Sequence, residues 1–220
     1  RLAARALEDP GGVGLQVAVA VNGELVLERA YGLAEVEHGV PVKPTSVFRI
    51  GSVTKQFTAA AVMKLVESGK IDLDAPFSRY YPDFETGEKQ VTIRHLLTHT
   101  SGIPSYTSLG PAWRKTVPLE MSHEELLGLV RGKPLEFEPG TRFRYSNTGY
   151  YLLGVVIEKV TGKPYGEHLK EALFEPLGLL HTRIGSNADI IPDRAQGYRL
   201  VNGKLENDAL IGMSQPGAAG

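Results

Sequence analysis

Gly51 divides two kinds of sequence. Before it stand the apolar, strand-like Val47, Phe48 and Ile50, and after it runs an unbroken series of good helix formers to Val66. Phe57, Ala61 and Leu65 recur at every fourth position and mark one buried helix face. Ser52 falls at the entrance of that helix, and Lys55 lies one turn above it on the same side. The ordinary use of a serine there is as an N-cap that satisfies a free backbone N–H. The chemical use starts from Lys55. Near the positive end of a helix dipole and beside apolar neighbours, an amine holds its proton less tightly and can accept one from a serine hydroxyl.

Composition limits what such a pair could serve. With 220 residues, 42% of them hydrophobic and 22% charged, the chain suits one large domain or two interleaved ones. A chain of this size buries roughly 70% of its unfolded surface, so a core forms without staples. There are no cysteines. Disulfides, thiolate nucleophiles and cysteine-ligated metals are therefore excluded. A net charge of −1, without any Lys/Arg-rich block, argues against nucleic acid as a partner. No apolar run reaches the ~20 residues of a membrane span, and no signal-peptide pattern opens the chain. That is compatible with a periplasmic, secreted or cytoplasmic location.

Read in order, residues 1–7 end a helix stopped by Pro10 and Gly11-Gly12. Residues 13–21 and 24–34 form two antiparallel strands joined by the strong hairpin turn Asn22-Gly23. Residues 40–44 connect to the Ser52 helix, which ends near Gly69, and residues 71–84 carry turn chemistry. Helices are expected over 92–99, over 122–131 with a Ser122/Glu125 capping box, over 148–160 and over 165–174. From Ile184 the sequence is extended again, with Asn202-Gly203 as a second hairpin turn. Strands followed by helices give an α+β fold: an antiparallel sheet flanked by helices, with a mostly helical inserted subdomain. The divisions are 1–70 (helix, hairpin and Ser52 helix), 71–180 (helical) and 181–220 (a return toward the sheet).

A second polar feature is Tyr145-Ser146-Asn147, after the Pro139-Gly140 turn and at a helix entry. Ser146 or Asn147 as an N-cap, with Tyr145 as a packing aromatic, accounts for these residue types. Alternatively the Tyr145 phenol shuttles protons beside an ammonium, and the Asn147 amide offers a donor and an acceptor to a substrate. A Ser-x-x-Lys arises by chance about once in a chain this long. Its place at the mouth of a hydrophobic helix, with a Tyr-x-Asn farther on, is much rarer. His95 and His99, at i and i+4, have metal-ligand spacing but no third ligand, so no metal is expected. No organic cofactor is expected either, since Gly12-x-Gly14 lacks the third glycine and the strand-before-helix context of a dinucleotide loop, and without a Gly-x-Ser-x-Gly elbow an α/β-hydrolase triad is not supported.

The blocks Phe48-Arg49-Ile50-Gly51-Ser52-Val53-Thr54-Lys55-Gln56-Phe57, Leu96-Leu97-Thr98-His99-Thr100-Ser101-Gly102-Ile103-Pro104 and the stretch 137–154 resemble the serine β-lactamase and penicillin-binding-protein superfamily. The nearest branch contains class C β-lactamases, D-alanyl-D-alanine carboxypeptidases and related esterases. Glu175-Pro176-Leu177-Gly178-Leu179 adds to the likeness. The resemblance implies Ser52 as acylated nucleophile, Lys55 as its deprotonating partner, Tyr145 as general base or proton relay, and Asn147 as a substrate contact. It also implies that Tyr106 lines the substrate cleft. The implied activity is acyl-enzyme hydrolysis of a β-lactam, a D-Ala-terminated peptide or a small ester. The family's Lys-Thr-Gly or His-x-Gly strand does not occur after Asn147. The expectation is therefore a fold lacking its C-terminal strands and one oxyanion donor, to be completed by a C-terminal fragment or a second chain. A catalytically silent binding or regulatory module of the same fold is the alternative.

Overall fold

The computed structural model describes residues 7–8, 11–215 and 217–219. The helix expected over residues 1–7 falls, except for its last residue, outside them. Contacts gather the chain into two compact units: Arg1–Arg49 with Ala188–Leu210, and Ile50–Asn187 with Ile211–Gly220. This grouping differs from the division 1–70, 71–180 and 181–220 in placing the Ser52 helix with the helical residues.

In the first unit, β1 (Gly14–Val21) pairs antiparallel with β2 (Glu24–Glu35), from Gly14 opposite Gly32 to Val21 opposite Glu24. Asn22 and Gly23 both take positive φ, 51° and 84°, as a two-residue turn of this hand requires. The stretch expected only as a connection supplies a third strand, β3 (Val40–Pro41), which pairs with β2 through Leu33 and Glu35. Pro41 is tolerated because β3 is an edge strand. Residues 188–210 return to this sheet: the Gln196 N–H donates to the Ala34 carbonyl at 2.8 Å, and Val47 exchanges backbone bonds with Asp193 and Ala195. There β4 (Tyr198–Val201) and β5 (Lys204–Asn207) close around Asn202-Gly203, again with positive φ at both turn residues.

The second unit is helical. A 3₁₀ turn over Gly51–Val53 leads into α1 (Thr54–Glu67). After a 3₁₀ turn at Phe77–Arg79 come α2 (Ile93–Leu97), the short α3 (Pro111–Arg114), which the sequence reading missed, and α4 (His123–Gly128). Then α5 (Asn147–Thr161) and α6 (Tyr165–Leu169) follow, the latter running on as a π-type turn over Lys170–Phe174. Both α2 and α4 open with capping boxes, Thr92 with His95 and Ser122 with Glu125. Ten consecutive residues of α5, Thr148 to Ile157, are buried. A helix that is apolar all round sits at the centre of its core. α1 and α2 pack against it, and Ala61, Val62, Leu65, Leu96 and Leu126 belong to the same buried cluster. The described residues thus combine helices with antiparallel sheet, as the α+β reading expects.

Candidate active site

The entrance to α1 departs from a simple cap. Gly51 takes φ +52°, which a residue with a Cβ adopts only under strain, and turns the chain into the 3₁₀ step that carries Ser52. Val53 occupies the N-cap position of α1 and makes no side-chain cap. Ser52 is exposed and its hydroxyl is not spent on the helix.

Lys55, only 7% exposed, points back along that step. Its Nζ donates to Ser52 Oγ at 3.1 Å, to Asn147 Oδ1 at 2.8 Å and to the Ala219 carbonyl. The same Nζ stands 4.7 Å from the Tyr145 ring centroid and 5.5 Å from that of Tyr150. Burial holds the Lys55 amine below its usual value, and the hydrogen-bonding and charge interaction with Tyr145 opposes that shift in part.

Tyr145 arrives through backbone pairing between two distant segments. The N–H groups of Glu136, Gly140 and Arg144 donate to the carbonyls of Gly102, Thr100 and His99, each at 2.8 Å. Gly102, at φ +75°, is required at this crossing, since a Cβ would lie 2.3 Å from the Phe137 carbonyl oxygen. The pairing leaves Tyr145 at the entry to α5, where its hydroxyl donates to Ser52 Oγ at 2.7 Å. Ser146 caps α5, its Oγ accepting from the Gly149 N–H at 3.3 Å. Asn147 begins the helix, its Nδ2 donating to Thr107 Oγ1 at 3.0 Å and its backbone N–H to Ser105 Oγ at 3.1 Å.

Ser52, Lys55, Tyr145 and Asn147 are therefore joined in one hydrogen-bonded cluster within the second unit. Tyr106 stands apart from it. Only 2% exposed, it packs against Trp113 and Tyr151 and donates its hydroxyl to the Gln215 carbonyl at 2.8 Å. Its ring lies in the core rather than on an exposed surface, and burial pushes its phenol well up. Its polar neighbours Ser105 and Thr107, passed over in the sequence, are the residues that touch Asn147. The only signal for them was their place just after the Leu96–Pro104 block.

Two further participants carry little sequence signal. The turn Gly217–Ala219 lies on α5 and α1, with the Ala218 carbonyl accepting from Thr58 Oγ1 at 2.8 Å and the Ala219 carbonyl accepting from Lys55. Close approach is possible because position 154 is glycine: a Cβ there would stand 2.6 Å from the Ala218 Cβ. His99 takes φ +57° and accepts the Ser146 N–H at Nδ1, at 3.1 Å. His95 Nδ1 instead accepts from the Thr92 N–H at 3.3 Å, so the two imidazoles serve separate backbone groups. Among the described residues no three His, Asp or Glu side chains gather in a metal-holding group. No helix among them is long and apolar enough to cross a membrane.

A family model described as Beta-lactamase matches residues 1–220. Penicillin-binding protein 4* of Bacillus subtilis (strain 168) is 34% identical over 184 residues, 83% of this chain and 40% of that protein. Esterase EstB of Burkholderia gladioli is 38% identical over 189 residues, 80% of this chain and 48% of the esterase. Among solved structures, an octameric penicillin-binding protein homologue from Pyrococcus abyssi superposes with a TM-score of 0.79 at 34% identity. The match covers 94% of this chain and 48% of that one. The chain thus spans less than half the length of these relatives.

Proposed function

The chain belongs to the β-lactamase family, and on that premise we propose that it is a serine hydrolase working through an acyl-enzyme at Ser52. The observation that carries this reading is the meeting of two proton-carrying groups on one hydroxyl: Lys55 Nζ at 3.1 Å and Tyr145 Oη at 2.7 Å from Ser52 Oγ. A serine is a weak nucleophile until a neighbouring base removes its proton. Burial lowers the proton affinity of Lys55, and in its free-amine form Lys55 accepts the Ser52 proton, directly or through the Tyr145 hydroxyl, as Oγ attacks the substrate carbonyl carbon. The carbonyl π electrons move onto oxygen, and the Ser52 backbone N–H at the head of α1 faces the developing oxyanion. The pair then returns the proton to the leaving nitrogen or oxygen as its bond to carbon breaks. Water, activated by the same pair, hydrolyses the resulting ester.

Asn147 holds Lys55 through Oδ1 and is proposed to present its amide to the substrate's own amide or carbonyl. The substrate class is a β-lactam, a D-Ala-terminated peptide or a small ester, in keeping with relatives named as penicillin-binding proteins and an esterase. A fluorescent penicillin or a fluorophosphonate is expected to label the protein covalently. Loss of the label in Ser52→Ala supports the reading. Labelling that persists in Ser52→Ala removes Ser52 from its role, and stoichiometric binding of such ligands without any covalent label favours a silent binding module.

A further inference from the structure

We propose that His99 is a positioning residue for Tyr145, holding the phenol over Ser52 only while its imidazole is neutral and protonated at Nε2. The inference rests on the acyl-transfer reading above. Its geometric basis is the environment of one ring. The His99 imidazole lies in tilted contact with Tyr145 at 4.5 Å between centroids and with Tyr150 at 4.9 Å, and meets Phe143 edge-on at 5.8 Å. Its Nδ1 accepts the Ser146 N–H, the amide immediately after Tyr145, and its carbonyl accepts the Arg144 N–H, the amide immediately before. The residues on both sides of Tyr145 are thus tied to one histidine, and the Tyr145 ring rests on that histidine's face.

The Ser146 N–H requires the Nδ1 lone pair, so the neutral ring carries its proton on Nε2. Protonating Nδ1 sets one N–H donor against another, breaks the bond to Ser146 and releases the α5 entry that aims Tyr145. The charged and titratable groups facing the ring are Lys55 from α1, Tyr145 at the α5 entry and Tyr150 on α5. Lys55 is positive and opposes a second positive charge. In keeping with the geometry, burial and then the Lys55 charge hold the His99 imidazole below the usual histidine value of 6.5. The device keeps Tyr145 aligned at neutral pH and loosens it in acid. Tyr145 is itself 44% exposed, and the His99 ring is the aromatic face it rests on.

The test is the pH dependence of the fluorophosphonate labelling rate in the wild type and in His99→Asn. Asparagine tolerates positive φ and offers an oxygen to the Ser146 N–H, but it neither stacks on Tyr145 nor titrates. The wild-type rate is expected to fall on the acid side with an inflection below 6.5. In His99→Asn that inflection disappears, and the rate above it drops about 10- to 100-fold because the phenol is less well placed. A variant with the wild-type rate and an unchanged acid limb overturns the inference, as does a uniform drop that keeps the wild-type profile, which marks a structural role only. Should His99→Asn fail to fold, nitrogen-15 NMR of the wild-type imidazole decides: a bare Nδ1 with the proton on Nε2, titrating below 6.5, is expected. An Nδ1–H tautomer or a titration above 6.5 contradicts it. A wild type that takes no label, or one that still labels as Ser52→Ala, fails the acyl-transfer reading itself. That outcome is distinct from a His99 failure, in which wild-type labelling at Ser52 persists.

Discussion

The Tyr145 hydroxyl donates a 2.7 Å hydrogen bond to Ser52 Oγ across 93 positions of sequence. Tyr145→Phe removes that donor while keeping the ring on His99. The labelling rate at Ser52 is expected to fall about 10²- to 10⁴-fold, the usual worth of a positioned proton-transfer group. Because Tyr145 is 44% exposed, the denaturation midpoint should scarcely move. Labelling kinetics and a urea titration on the same preparation separate the two effects.

A second prediction concerns the proton on Lys55. Burial lowers its affinity below the ordinary lysine value of 10.5, so labelling should rise with pH through an inflection below 10.5 as Lys55 loses its proton. Asn147→Asp places a carboxylate where Oδ1 now accepts from Nζ at 2.8 Å. A neighbouring negative charge favours the ammonium, so the inflection moves up and the rate at neutral pH falls. For stability the sign is as follows: between the lowered folded value and 10.5 the unfolded chain binds more protons. The Lys55 contribution to stability therefore rises with pH through that window and is flat below it.

Gly154→Ala tests the packing that brings Ala219 to Lys55. The new methyl would stand 2.6 Å from the Ala218 Cβ and must push the Gly217–Ala219 turn away from α5. Overpacking of this kind costs about 1–3 kcal/mol, offset by about 1 kcal/mol of helix propensity. Labelling should fall although position 154 does not touch Ser52. Gly149→Ala, whose Cβ meets nothing closer than 3.6 Å, is the control and should keep the wild-type rate with equal or greater stability. Thermal melts and labelling rates of the two variants check both statements.

Away from the site, Ser122→Ala removes the α4 cap, whose Oγ accepts the Glu125 N–H at 3.2 Å. A loss of about 1 kcal/mol in unfolding free energy is expected, with no change in labelling. Leu153→Ala, at 0% exposure in the core of α5, should cost about 2–5 kcal/mol.

These residues also show what the sequence could reveal. Asn22-Gly23, Asn202-Gly203 and the Ser122/Glu125 box announce themselves because their side chains, or the lack of one, determine local backbone geometry. Ser52 and Lys55 could be paired from spacing alone, as neighbours one helical turn apart. Tyr145 and Asn147 could not be joined to them by spacing. Their approach depends on backbone bonds from 136–144 to 99–102, which no side-chain pattern encodes, and only the family resemblance suggested it. The Ala219 carbonyl was illegible for a similar reason: a main-chain oxygen has no residue type. His99 was weighed as half of a metal pair at i, i+4, but its φ of +57° takes it off the helix on which that spacing depends. That Tyr106 turns into the core while its neighbours Ser105 and Thr107 meet Asn147 was not legible either, because adjacency along the chain does not say which of three residues faces inward.

The most direct test of the central claim is peptide mapping of the protein after reaction with a fluorophosphonate. Trypsin, cutting after Arg49 and Lys55, releases residues 50–55 as one peptide. The account predicts a single adduct on that peptide, carried by Ser52 and absent when the protein is unfolded before treatment. An adduct on another residue with Ser52 unmodified, or a folded protein that acquires no adduct, contradicts it.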